Sequence, residues 1–467
     1  MGKTMQYHFE GSLTARDCKR HILHRFAAPA NSGQMDLHLR FAPHGAQDMT
    51  HMLTLTVVDP GGFRGAGHRE GASHRVRIRA TEATPGYLPG PLPAGEWTAQ
   101  IDTHRIMPGE PVHYWLDVTL TEEANTENAS AILPKAGLPK APPRGAGWYR
   151  GDLHTHTHHS DAGERTVAEL IQVARDYRLD FIFLTDHNTT AGLGEMDESA
   201  AEDLLTAGGV EVTTFWGHAL CLGARAWVDW RVRPGTGDMA RIAAATYAGD
   251  QVFIIAHPQA NGDPACTGCA WRFGEMMPGR AQLVEIWNGP WEGDSNNEAA
   301  LSLWYDWLNQ GLRLAATAGT DTHSAQDYAA RPGFNVVYAE ALSEAALVKA
   351  LRAGRLYLSA GPQVTFQARN ESGERWMIGD TVTQPVTFVV IWANCPPGAQ
   401  LRLIANGRLL NQLAAAAQGK YEWKMTPDQA DWVMMEIRGR NGEVLAITNP
   451  IFLQPNAVAA PGTGQRL

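Results

Sequence analysis

Long apolar runs are missing from this 467-residue chain. None approaches the roughly 20 residues that span a bilayer, so no membrane helix is expected. Residues 1–20 have no apolar core of the signal-peptide kind, which leads to the expectation of an uncleaved cytoplasmic protein. Cysteine is scarce: five residues exclude a disulfide framework and suit a reducing compartment. Cys266 and Cys269 form one C-x-x-C, but Cys18, Cys221 and Cys395 do not supply the second pair that a zinc ribbon needs. The pair therefore reads as incidental, on a long loop over 258–279 that is a candidate lid. No G-x-S-x-G elbow is present, and the glycines at 86–95 have no following Lys-Ser/Thr, so a nucleophile elbow and a phosphate-binding P-loop are both excluded. Lysine almost vanishes between 148 and 362, where Lys349 stands alone.

The length suggests about three domains at ~150 residues each. With 44% hydrophobic and 19% charged residues, the chain has a globular rather than a disordered composition. Its net charge of -10 is local: residues 148–362 hold 15 Lys+Arg against 27 Asp+Glu, and the remainder holds 24 against 22. So acidic a segment repels a long phosphate backbone unless cations intervene, which argues against a long nucleic-acid substrate.

Residues 1–122 read as an N-terminal β-sandwich. Leu37, Leu39 and Phe41 alternate with polar residues, as do Leu53, Leu55 and Val57, and then Val112, Tyr114, Leu116, Val118 and Leu120. Residues 123–147 are proline-containing and linker-like. From 148 to 362 short apolar runs alternate with amphipathic helices, which predicts an α/β barrel or barrel-like fold. A capping box at Thr166 and Glu169 predicts a helix with Val167, Leu170, Ile171 and Ala174 on its apolar face. Another is predicted from Ser343 to Gly354. Alternation resumes at Val386, Phe388, Val390 and Trp392, predicting a smaller C-terminal β-sandwich over 363–455 before a tail at 456–467.

Of 18 histidines, ten lie before residue 114. These (His8, His21, His24, His38, His44, His51, His68, His74, His104 and His113) show no series with carboxylates and read as surface or satisfied core residues. The other eight include His154, His156, His187, His257 and His323, each where a strand should end. In α/β barrels such ends converge on one face. The H-x-H at His154 and His156 places two imidazoles on one side of an extended segment, and imidazole with carboxylate suits zinc, manganese or iron.

The order of motifs resembles the polymerase and histidinol phosphatase (PHP) superfamily of metal-dependent hydrolases. The matching segments are D-L-H-T-H-T-H-H-S-D (152–161), T-D-H (185–187), G-V-E (209–211), G-H (217–218), A-H-P (256–258) and G-T-D-T-H (319–323). V-E-I-W-N-G (284–289), R-P-G-F (331–334), S-A-G-P (359–362), D-P-G-G-F-R-G (59–65) and G-Y-L-P-G-P-L-P-A-G-E-W (86–97) are similar to its carbaryl-hydrolase-like (CehA/McbA) branch. Ala162 stands where that family usually has Gly, and it leaves every ligand in place. The resemblance implies a distorted (β/α)7 barrel and two to three divalent ions. His154, His156 and Asp321 would hold the first, Glu211 would bridge to a second completed by His218 and His257, and Asp161, His187 and His323 would hold a third of weaker occupancy. A bridging carboxylate is the usual way to hold two cations ~3.5–4 Å apart.

Glu211, Asp321 and Asp186 are read as the catalytic carboxylates, Asp186 as one that orients an imidazole. His159, Asn288 and Arg331 are candidate substrate contacts. A metal-bridging hydroxide would hydrolyse a small-molecule ester: a phosphomonoester or phosphodiester on the superfamily resemblance, an aryl carbamate or carboxyl ester on the branch resemblance. The competing, non-enzymatic reading is a β-sandwich binding protein around a metal-stabilised remnant. Missing ligands would mark such a relic, and all nine ligand positions are filled. No membrane partner is expected, and the β-domains are candidate oligomerisation surfaces.

Overall fold

The structure is a computed structural model that describes residues 3–46, 49–122, 144–199, 203–276 and 281–455. Most of the expected linker and the whole tail at 456–467 lie outside the described residues.

The N-terminal alternation forms two four-stranded antiparallel sheets. One orders Thr4–Leu13, Val112–Glu122, Ser32–Ala42 and Ser73–Arg79; the other orders His21–Ala28, Gly95–Arg105, Met52–Asp59 and Gly62–Gly67. Every second residue of Val112–Leu120 is buried, and Leu37, Leu39, Leu55, Val57 and Trp97 fill the core between the layers.

The middle of the chain builds one long mixed sheet. Its strands run in the order Ala315–Gly319, Leu283–Asn288, Val252–Ile255, Gly217–Leu222, Leu205–Thr214, Phe181–Leu184, Gly147–Asp152, Phe334–Ala339 and Leu356–Ser359. Of the expected distorted (β/α)7 barrel the structure shows a mixed sheet with few helices, and it departs from a regular closed barrel in two respects. First, a strict βα repeat needs a helix between successive strands, whereas Leu205–Thr214 and Gly217–Leu222 are an antiparallel hairpin joined through Phe215 and Trp216. Second, the backbone ladder does not close between Ala315–Gly319 and Phe334–Ala339. Asparagine side chains span that gap. Asn335 Nδ2 donates to Ala318 O (2.6 Å) and its Oδ1 accepts from Ala318 N (3.0 Å), and Asn449 does the same for Ala316 (2.9 and 2.7 Å). Asn335→Ala is expected to cost about 2–4 kcal/mol, because it leaves a buried N–H and C=O without partners. Urea unfolding checks this, and an unchanged midpoint would sink it.

The helix Val167–Asp176 starts at the predicted cap. Thr166 Oγ1 accepts from Glu169 N, and Val167, Leu170, Ile171 and Ala174 are its buried residues. Together with Ile182 and Leu184 they form one apolar cluster that holds the sheet's end in place. The helix Glu344–Arg352 likewise begins at Ser343.

The C-terminal region packs a four-stranded sheet (Arg375–Met377, Gln363–Arg369, Val386–Ala393, Gly419–Met425) against strands that continue the central sheet through Val444–Thr448 and Trp432–Arg438. One layer of this smaller sandwich is thus the extension of the sheet that carries the site.

Candidate metal centre

The site lies at one edge of the central sheet. Gly147–Asp152 runs out into His154 and His156, Phe181–Leu184 into Asp186 and His187, Val252–Ile255 into His257, and Ala315–Gly319 into Asp321 and His323. The antiparallel hairpin adds two more groups. Glu211 sits within Leu205–Thr214, and His218 begins the return strand opposite Thr213, at the same edge. The break from strict βα order is therefore what brings Glu211 and His218 together. His257 (φ 25°) and Asp321 (φ 51°) hold left-handed backbone, a strain that clusters at functional sites.

Three overlapping donor groups result: His154, His156, Glu211 and Asp321; Glu211, His218 and His257; and His156, Asp161, His187 and His323. In the first, His156 Nε2 lies 2.9 Å from Asp321 Oδ1 and 3.4 Å from Glu211 Oε2, and His154 Nε2 lies 3.4 and 3.3 Å from the same two oxygens. In the second, Glu211 Oε1 is 3.1 Å from His218 Nδ1 and 3.3 Å from His257 Nε2. In the third, Asp161 reaches His323 Nε2 at 3.0 Å and His187 Nε2 at 3.2 Å. The two oxygens of Glu211 thus face different groups: Oε1 meets the second, and Oε2 meets the first and also His187 Nδ1 of the third at 2.7 Å, so Glu211 fits a bridging role.

These residues fit metal ions on two observations. Ligands ~2.0–2.2 Å from a tetrahedral cation stand about 3.4 Å apart, close to the spacings above. In addition, His154 Nε2, His156 Nε2, Glu211 Oε2 and Asp321 Oδ1 are buried without hydrogen-bond partners, a state native proteins avoid unless something else satisfies the atom. Several rings are also anchored through Nδ1, leaving Nε2 for an ion. His154 is held by Glu285 Oε2 (3.0 Å), His257 by Cys269 O (3.3 Å), His323 by Asp321 O (2.7 Å) and His187 by Thr213 Oγ1 (2.5 Å).

Burial alone would raise the Glu211 carboxyl, but the imidazoles of His187, His154 and His218 hold it well below its usual range. Asp321 and Asp161 are held down in the same way by their histidines. Burial opposes the charge on His323, yet Asp161 beside it pushes its pKa up to about 9.

The other predicted site residues fall in different places. Asn288 adjoins the first group, with Nδ2 donating to Glu285 Oε1 (2.6 Å) and Asp321 Oδ2 (3.3 Å). The Asp186 carboxylate accepts from Thr157 N (2.7 Å), Thr157 Oγ1 (2.8 Å) and Ser160 Oγ (2.8 Å), and approaches His156 only through Ser160. His159 is buried outside the donor groups that contain Glu211 and Asp161, its Nδ1 accepting from Gly86 N and its Nε2 meeting Glu195. His158, His159 and Glu195 form a further cluster of donor atoms, in which His158 Nε2 is buried without a hydrogen-bond partner. Arg331 is exposed and lines a cavity of about 450 Å³ with Trp287 and Trp291.

Sequence reasoning missed Glu285, although a lone acid inside the apolar run Leu283–Asn288 was a signal. Glu285→Gln is expected to lower metal affinity about tenfold, because His154 loses its charged orienting partner. Titration with a competing chelator reads this, and unchanged affinity would count against it. His68 and His104 were also missed. The His68 ring centroid lies 4.5 Å from that of His187 and 4.7 Å from that of His104, and burial next to His187 brings its pKa down to about 3. The C-x-x-C differs from expectation as well: Cys266 and Cys269 are disulfide-bonded, since two intervening residues leave their Cα atoms 5.6 Å apart, within bridging range. Their loop packs on the site, and a side chain at Gly268 would come within 3.1 Å of His218 Nε2.

No known family profile matches the chain, and no curated protein does. Among solved structures, the chain is similar to a two-domain protein from Bacteroides vulgatus containing a predicted PHP-like metal-dependent phosphoesterase, with 15% identity over 68% of this chain and 98% of that one and a TM-score of 0.36. A candidate metal-dependent phosphoesterase from Bifidobacterium adolescentis shares 16% identity over 44% of this chain and 94% of its own, with a TM-score of 0.27. The periplasmic g-type lysozyme inhibitor of Aeromonas hydrophila shares 19% over 25% of this chain and 86% of its own, at 0.15. At these scores the likenesses leave the activity open. Among the described residues no helix is long and apolar enough to cross a membrane.

Proposed function

We propose that the chain is a metal-dependent hydrolase of small phosphomonoesters or phosphodiesters, of the PHP type. The observation that carries this reading is the set of buried, unpartnered donor atoms shared between groups that meet at Glu211. When bound, two or three divalent cations (zinc, manganese or iron) supply Lewis-acid polarisation of the ester and acidify water. The chain's own residues do the rest. Glu211, buried between the first two groups, fixes their spacing. Glu285 and Asn288 hold His154 and Asp321 in place from behind. Asp186 pins the 157–160 turn so that Asp161 points at His187 and His323. The third group is the more open one, with Asp161 and His323 side chains 23% and 37% exposed, and it faces the entering ester.

A second reading is an aryl carbamate or carboxyl ester as substrate, in keeping with the carbaryl-hydrolase-like branch. It is favoured by half-buried Trp271, which packs closely on Gly217 immediately before His218 in the chain and suits an aryl leaving group. The test is a screen of metal-replete protein against chromogenic aryl phosphates, phosphodiesters, carboxyl esters and carbamates. Phosphoester turnover that stops on chelation and returns with metal is expected. Turnover of the carboxyl esters or carbamates alone would favour the second reading, and turnover of none would overturn both.

A further inference from the structure

We propose that His68, delivered by the N-terminal sandwich, is a substrate-contacting residue that hydrogen-bonds an oxygen of the ester held over the second and third donor groups. This rests on the hydrolase reading above. His68 follows directly on the strand Gly62–Gly67, so its place is set by the sandwich rather than by the sheet that holds the ligands. Its neighbours fasten that placement. Arg69 donates to Ser160 O (3.1 Å) and His158 O (2.9 Å), on the turn that carries Asp161. Gly86 N donates to His159 Nδ1 (3.0 Å), and Gly86 O accepts from Thr189 Oγ1 (2.8 Å). Gly86 has φ +89°, and a Cβ there would stand 2.5 Å from His159 O, so only glycine permits this approach. On the other flank, His104 O accepts from Thr267 Oγ1 (2.7 Å), tying the sandwich to the loop over His218 and His257.

Between these two anchorages His68 packs edge-on to His104 and tilted over His187. It belongs to none of the donor groups, yet its Nδ1 is buried with no hydrogen-bond partner. A polar atom so placed beside the open third group is satisfied by a ligand oxygen at no further cost in desolvation. The sandwich then forms one wall of the reaction pocket.

The experiment compares wild type with His68→Ala, His68→Phe and His68→Asn, each metal-replete. It reads metal content, thermal melting, calorimetric affinity for inorganic phosphate, and KM and kcat on an aryl phosphate. Both His68→Ala and His68→Phe are expected to weaken phosphate binding and raise KM about tenfold at unchanged metal content and melting temperature. His68→Asn, which keeps a donor and an acceptor, recovers part of the loss and also serves as the test if His68→Ala fails to fold. Wild-type affinity and KM in His68→Phe would show that the ring only fills space, and would overturn the proposal; so would loss of an ion from every variant. If wild type binds phosphate but hydrolyses no ester, the hydrolase reading fails, and the ratio of phosphate affinities still decides the role of His68. If it neither binds phosphate nor turns over any ester, both fall.

Discussion

Glu211→Gln is expected to lower turnover by at least about a thousandfold, roughly 4 kcal/mol of transition-state stabilisation, with the fold retained. Glu211 is fully buried, and each carboxylate oxygen faces a different donor group. An amide of the same shape has one acceptor oxygen instead of two and no charge, so it cannot balance two cations. It also turns an N–H toward groups that need an acceptor. The strand Leu205–Thr214 remains paired on both sides whatever stands at 211, so melting should change little. Rate, bound metal and thermal melting on one preparation check this together, and near-wild-type turnover would remove Glu211 from its bridging role.

Asp161→Ala comes second in expected size. Asp161 sits on a turn outside the sheet, is partly exposed, and is the carboxylate that meets both His187 and His323. Removing it should release the ion of the third group, leave those held through Glu211, and lower turnover about a hundredfold. Because the turn is held independently by Asp186, the melting temperature should stay within a few degrees. Loss of all ions, or unfolding at room temperature, would mean that Asp161 clamps the fold instead of facing substrate.

The parts of this site that were legible in the sequence are those encoded locally. The cap at Thr166 and the apolar face behind it depend on spacings of three and four residues. The histidines and carboxylates at strand ends sit in short motifs, and a sheet edge gathers them whichever strands are parallel. Connectivity was less legible. Alternation reports which face of a strand is buried, but not its direction, so the hairpin bearing Glu211 and His218 was hidden inside an expected βα repeat. Closure by Asn335 and Asn449 was invisible, because an asparagine that imitates a neighbouring strand looks like any other polar residue in an apolar run. In the sequence His68 looks like any other histidine, because its partner His187 lies far along the chain beyond the end of a strand of the central sheet. Only the packing of the sandwich onto the sheet edge gives it meaning.

That two cations share Glu211 is tested most directly by elemental analysis of purified, metal-replete protein. At least two divalent ions per chain are expected, since Glu211 Oε1 faces His218 and His257 while Oε2 faces His154 and His156. One ion per chain, or none, would contradict it.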